Sequence, residues 1–146
     1  MVDEAEIRKL GEEVKKLRDE GMSDPKDVLK IFELMKLVSG EIDDLKEELE
    51  DIDQFVGQMV VEDKSFKWWV KIGDGVFDYG EGDAEDPSFT MSANWETMGG
   101  LMSGEVDGTS AYMSGDLKIE GNLQDTMAYG EYIAFAAETL EEMDDG

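Results

Sequence analysis

Apolar positions recur at steps of three and four along the first third of the chain and at steps of two along the middle, so the pattern itself separates a helical part from a strand-rich part. From Asp3 to Glu20, Ile7, Leu10, Val14 and Leu17 form a narrow apolar stripe on a charged helix, which is expected to pack by one edge. Gly21 is expected to end it. Ser23-Asp24-Pro25 then supplies an acceptor ahead of a first-turn proline, the preferred way to restart a helix. The second helix runs to about Val38 with a broader face (Val28, Ile31, Phe32, Leu34, Met35, Val38) and is expected to be the more deeply buried, with Gly40 as its break. A third, from Glu41 to Ile52, repeats the narrow stripe with Ile42, Leu45, Leu49 and Ile52. Helices this short are expected to pack on their own domain rather than form a coiled-coil-like partner surface.

Around Asp53 the period changes. Phe55, Gly57, Met59 and Val61 fall on one side of a strand and Gln54, Val56, Gln58 and Val60 on the other. Glu62-Asp63-Lys64 turns the chain, and Phe66, Trp68, Val70 and Ile72 then alternate with Lys67, Trp69 and Lys71 as a clear amphipathic strand. Gly73-Asp74-Gly75 signals a hairpin, because tight turns demand the positive φ that glycine tolerates. A third strand runs from Val76 to Tyr79. Beyond an acidic loop from Gly80 to Pro87, Phe89, Met91 and Ala93 alternate with Ser88, Thr90 and Ser92 as a fourth.

The stretch from Gly99 to Tyr129 alternates short apolar turns with glycine too regularly for a linker. Leu101-Met102-Ser103-Gly104 and Tyr112-Met113-Ser114-Gly115 each read as the last turn of a short helix with glycine just past its end. Leu117 and Ile119 alternate with Lys118 and Glu120 in a fifth strand, which Gly121 closes. Asn122 is suited to cap the helix that begins at Leu123, with Asp125 adding negative charge to its first turn.

Charge and composition narrow the functions open to such a chain. Its 146 residues are one domain's worth, and its net charge of -25 argues against binding nucleic acid or, electrostatically, an anionic membrane surface. The charge suits either solubility or a salty cytoplasm that screens self-repulsion. No early apolar run resembles a signal peptide, and no stretch is long enough to span a bilayer. Cysteine is absent, which fits a reducing compartment, and histidine is absent too, which removes the usual general base. No enzyme activity and no cofactor are therefore expected. The acidic loop from Asp78 to Asp86 matches no calcium-loop spacing and reads as a solvated turn. With so many carboxylates, nothing singles out a hydrolytic pair.

The pieces Leu101 to Gly104, Ala111 to Gly115 and Leu117 to Gly121, with Met127 following, closely resemble the sterol carrier protein 2 (SCP2) sterol-binding domain family. That family carries a helix ending in Ser-Gly, a short Ala-containing helix ending in Gly, and a Lys-Ile-Gly strand. The resemblance reaches back to about Gln54 and leaves the N-terminal third outside it. It implies a non-enzymatic carrier of fatty acyl, isoprenoid or sterol-like molecules, and a C-terminal helix that helps close a tunnel mouth. From Met127 to Ala137 only Glu131 is charged, so that helix is expected to be covered on more than one side.

The expected architecture is α+β: a five-stranded, mostly antiparallel sheet covered by helices, with residues 1–53 as a helical extension packed on an SCP2-like domain of residues 54–146. The methionines alone would read as ordinary core. With the resemblance they read as the adaptable wall of an apolar cavity. Its expected lining is Trp68, Val70, Phe89, Met91, Trp95, Met98, Met102, Tyr112, Met113, Met127, Tyr132 and Phe135. The expected partner is a hydrophobic small molecule; a scaffold module that binds a partner helix in the same groove is the alternative. The last residues, Met143-Asp144-Asp145-Gly146, lack the Ser-Lys-Leu type of peroxisomal address, and a cytoplasmic location is expected.

Overall fold

The computed structural model describes residues 4–20, 24–103 and 106–145. Gly21, Ser23 and Gly104, expected at helix ends, lie outside those residues. Helix α1 spans Glu4–Glu20 and buries Ile7 and Val14, with Leu10 and Leu17 half-buried, so it does pack by one edge, against α2 (Val28–Glu41). A single 3-10 turn, Pro25–Asp27, leads into α2; the Asp24 carboxylate accepts from the backbone N–H of Lys26 at 3.0 Å.

The break after α2 falls at Ile42, not Gly40. Gly40 stays helical, whereas Ile42 adopts extended backbone (φ -92, ψ 120) while its N–H still donates to Val38 O at 2.8 Å. Its carbonyl then accepts from Leu45 and Lys46, opening α3 (Asp43–Asp51) with two aspartates in the first turn, where negative charge is favourable. Leu45 and Leu49 are the buried positions of α3.

Five strands follow in part the alternation of the sequence: β1 (Phe55–Val61), β2 (Phe66–Gly73), β3 (Val76–Glu81), β4 (Phe89–Ala93) and, later in the chain, β5 (Lys118–Gly121). They pair in the order β3-β2-β1-β4-β5. The pairs β1/β2, β2/β3 and β4/β5 are antiparallel and β1/β4 is parallel, so the sheet is mixed. Asp74 (φ 52) and Gly75 (φ 80) make the β2–β3 hairpin, both with the positive φ of a type I′ turn.

Register puts Phe55, Met59, Val61, Phe66, Trp68, Val70, Ile72, Phe89, Met91 and Ala93 on one face. Trp68, Met59, Met91 and Ile119 form one row across β2, β1, β4 and β5; Val70, Gly57, Phe89 and Gly121 form the next. Helices α2, α3 and α6 (Leu123–Asp145) pack over this sheet, and the core lies between. On the opposite face Trp69 covers Gly80, where a Cβ would stand 2.5 Å from the indole. There the loop from β3 to β4 is held by Gln58, whose amide donates to Trp68 O and Gly82 O, each at 3.0 Å, and accepts from Ala84 N.

Two short helices connect β4 to β5. In α4 (Trp95–Ser103) Asn94 Oδ1 accepts from Thr97 N at 2.8 Å, and α5 (Gly108–Ser114) ends on Gly115 in the left-handed region (φ 88). The cap of α6 is Asn122, which accepts from Asp125 N at 3.0 Å. Against the expectation of cover on several sides, α6 buries one stripe, Thr126, Tyr129, Tyr132 and Ala136, and leaves Leu123 and Met127 exposed. Among the described residues no helix is long and apolar enough to cross a membrane.

Candidate functional site

Aromatic side chains dominate the space between the sheet and its helices. The Phe32 ring, from the middle of α2, lies 6.1 Å from Trp68, 6.3 Å from Phe77 and 6.3 Å from Tyr79, centroid to centroid. Phe66 adds a ring 5.8 Å from Trp68. A second group joins Phe55 to Phe89 (5.8 Å) and Phe89 to Tyr129 (5.9 Å). Helix α6 reaches both groups, because Tyr132, one turn after Tyr129, stands 5.7 Å from Phe77. Gly57 makes the second group possible, since a Cβ there would stand 2.3 Å from Phe89 Cζ.

Polar atoms in this layer are few. Tyr132 Oη and Ser39 Oγ share a 2.5 Å hydrogen bond that ties α6 to α2. Burial pushes the Tyr132 phenol up to about 12, with the Ser39 hydrogen bond acting the other way and the charge of Glu48 adding to the rise. Burial alone raises Tyr129. Trp68 is fully buried, and its Nε1–H has no acceptor among the described residues. The buried polar or charged side chains described are Ser39, Gln58, Thr97 and Thr126, so none is cationic.

The rim over β3 is ionic. Tyr79 donates to Glu33 at 2.5 Å, and Lys36 pairs with Asp78 at 3.0 Å. Partial burial works against ionisation of Asp78, but the Lys36 ammonium, the Tyr79 N–H and the charge of Lys71 outweigh it and hold the carboxyl below its usual range. Asp83, in the acidic loop, pairs with Lys67 at 3.1 Å. Among the described residues no three acidic side chains converge to hold a metal.

Of the expected lining, Trp68, Val70, Phe89, Met91, Trp95, Met98 and Tyr132 are buried and Phe135 is half-buried. Tyr112, Met113 and Met127 point to solvent, with Met113 80% exposed. The side chain of Met102 lies outside the described residues. Phe32, Phe55, Phe66, Phe77, Tyr129 and Met59 share the layer without belonging to the expected lining; the alternation of the strands and the broad face of the second helix signal all of them but Tyr129, which lies on α6. An open cleft of about 460 Å³ beside α4 and α5 is lined by Glu96, Asp107, Asp116 and polar neighbours, a surface unsuited to an apolar ligand.

The SCP-2 sterol transfer family matches residues 34–133, beginning inside α2. No curated protein matches the chain by sequence. Solved structures of similar fold include the UbiJ-SCP2 ubiquinone synthesis protein, at 18% identity over 77% of this chain and 99% of that one, with a TM-score of 0.57. The sterol carrier protein domain 2 of Helicoverpa armigera is 19% identical over 81% of this chain and 95% of its own (TM-score 0.57). Apo sterol carrier protein 2 from Yarrowia lipolytica is 18% identical over 73% and 89% (TM-score 0.55). With the family matched across both the aromatic layer and the glycine-punctuated C-terminal half, the chain belongs to the SCP-2 sterol transfer family.

Proposed function

We propose that this protein binds and carries hydrophobic lipids, of fatty acyl, isoprenoid or sterol-like type, between the sheet and helices α2 and α6, without catalysing a reaction. The observation that carries the reading is the aromatic and methionine layer on one sheet face, uninterrupted by any buried cation among the described residues. Such a surface holds a ligand by burial. An acyl chain gains about 0.8 kcal/mol per CH₂ removed from water, which ordering and association costs reduce to a modest affinity. Trp68, Val70, Phe89, Met91 and Tyr132 are the proposed contacts, with Trp95 and Met98 at the α4 end and Phe135 at the outer edge. In this reading residues 1–53 are a helical extension on the unit of residues 54–146, and its Phe32 supplies part of the ligand's cover.

Native mass spectrometry of freshly purified protein tests the proposal. A bound species of defined lipid mass, lost on solvent extraction and regained on adding a fluorescent acyl ester, is the expected outcome. Protein that is lipid-free as isolated and takes up no such probe would overturn it. A second reading, a scaffold that docks a partner protein helix, is favoured by one specific feature: Tyr112, Met113, Leu123 and Met127 are exposed apolar side chains on α5 and the start of α6.

A further inference from the structure

We infer that the ligand of this layer is a neutral lipid bearing an acceptor oxygen, an ester or ketone carbonyl for example, and that the Trp68 indole N–H is the group that receives it. The inference rests on the lipid-binding reading. Trp68 is completely buried, yet its Nε1–H meets no acceptor among the described residues. Buried donors are nearly always paired, because an unpaired one forfeits its hydrogen bond to water without replacement. Other buried polar groups follow the rule: Ser39, in this core, has Tyr132, and Gln58, on the opposite face of the sheet, has Gly82, Ala84 and Trp68 O. The exception sits on the sheet face proposed to hold lipid, with the rings of Phe32 and Phe66 at 6.1 Å and 5.8 Å and Met59 beside it in register.

The donor's surroundings also select the charge of what it binds. Lys67 and Lys71, the lysines of β2, alternate onto the face opposite Trp68, and no lysine or arginine is among the buried residues described. On β3, the register partner of Trp68 is Glu81. A carboxylate head group would thus be desolvated with no counter-charge and with an anion nearby, which is strongly unfavourable. A pure hydrocarbon would leave the indole as it is. A neutral carbonyl satisfies the donor and brings no charge.

The test compares methyl palmitate, hexadecane and palmitate, each delivered from cyclodextrin to the full chain at pH 7. The Trp68 indole N–H resonance, assigned in ¹⁵N-labelled protein as the one that remains in both Trp69→Phe and Trp95→Phe, is expected to move downfield with methyl palmitate and not with hexadecane. Trp68→Phe is expected to lower affinity for methyl palmitate about tenfold more than affinity for hexadecane, because both ligands lose the same apolar contact and only the ester loses a hydrogen bond. Palmitate should bind more weakly than its ester. If ester and alkane both bind but give the same indole shift, the inference falls and lipid binding stands; the spectral comparison holds even if the variant does not fold. Tighter binding of palmitate than of the ester overturns the neutral-ligand part. If none of the three binds, the lipid reading itself falls.

Discussion

Single side chains decide how tightly the layer between sheet and helices closes. Gly57 is required because the Phe89 ring occupies the space its Cβ would take. Gly57→Ala should therefore cost about 1–3 kcal/mol by overpacking, read as a lower urea midpoint with unchanged slope. Gly40, around which nothing lies within 4 Å, is the control: Gly40→Ala should be neutral or slightly stabilising within α2. Tyrosine sets the alkaline limit. Below pH 10 Tyr132 and Tyr129 are protonated both folded and unfolded, so the stability tied to them is complete there. Above it the unfolded chain releases protons that the folded chain keeps, since burial holds Tyr132 up to about 12 and Tyr129 also above its usual value. Stability must then fall between about pH 10 and 12. Most of the tyrosinate absorbance should appear together with loss of circular dichroism; full tyrosinate absorbance from a chain that is still folded would contradict these assignments.

Elements were legible in the sequence wherever their chemistry is local. The alternation of Phe66, Trp68, Val70 and Ile72 reports one buried face directly, and Asn122 and Gly115 mark a helix start and a helix end that the structure reproduces. Asn122→Ala should cost about 1 kcal/mol by freeing the Asp125 N–H, and Gly115→Ala a similar amount because φ 88 disfavours any Cβ. Both are measurable as lower melting temperatures, and Asn122→Asp, which keeps an acceptor oxygen for the Asp125 N–H, should avoid most of the loss. Other features have no local signature. Parallel pairing of β1 with β4 joins residues about thirty apart, and nothing in either strand names its neighbour. The orientation of α5 was equally hidden: in a helix of seven residues the pattern does not say which side meets the sheet, and Tyr112 and Met113 turned outward while Ala111 turned in. Around α6 apolar residues lie on all sides, so the sequence carried little directional signal and Met127 could not be told from Tyr129. Phe32 entered the layer from a helix that the family resemblance did not reach, although the family itself matches from residue 34.

At the scale of the molecule, the net charge of -25 opposes compaction, and the described ion pairs, Lys36–Asp78, Lys67–Asp83 and Lys118–Glu62, are partly exposed and offset little of it. Repulsion among surface carboxylates extends over the Debye length, which shrinks from about 30 Å at 0.01 M salt to about 10 Å at 0.1 M and about 3 Å at 1 M. Melting temperature should therefore rise with KCl, by about 3 °C for each kcal/mol of repulsion relieved in a chain of this size. The shape of the rise identifies its cause. Screening delivers most of its effect by a few tenths molar, whereas strengthening of apolar burial by excluded solutes grows in proportion to concentration. A steep initial climb that flattens toward molar KCl is expected, and an uncharged excluded solute such as sucrose should give only the proportional part. A melting temperature indifferent to KCl would mean that the carboxylates are spaced widely enough for water alone to screen them, and that the charge serves solubility instead of adapting the fold to salt.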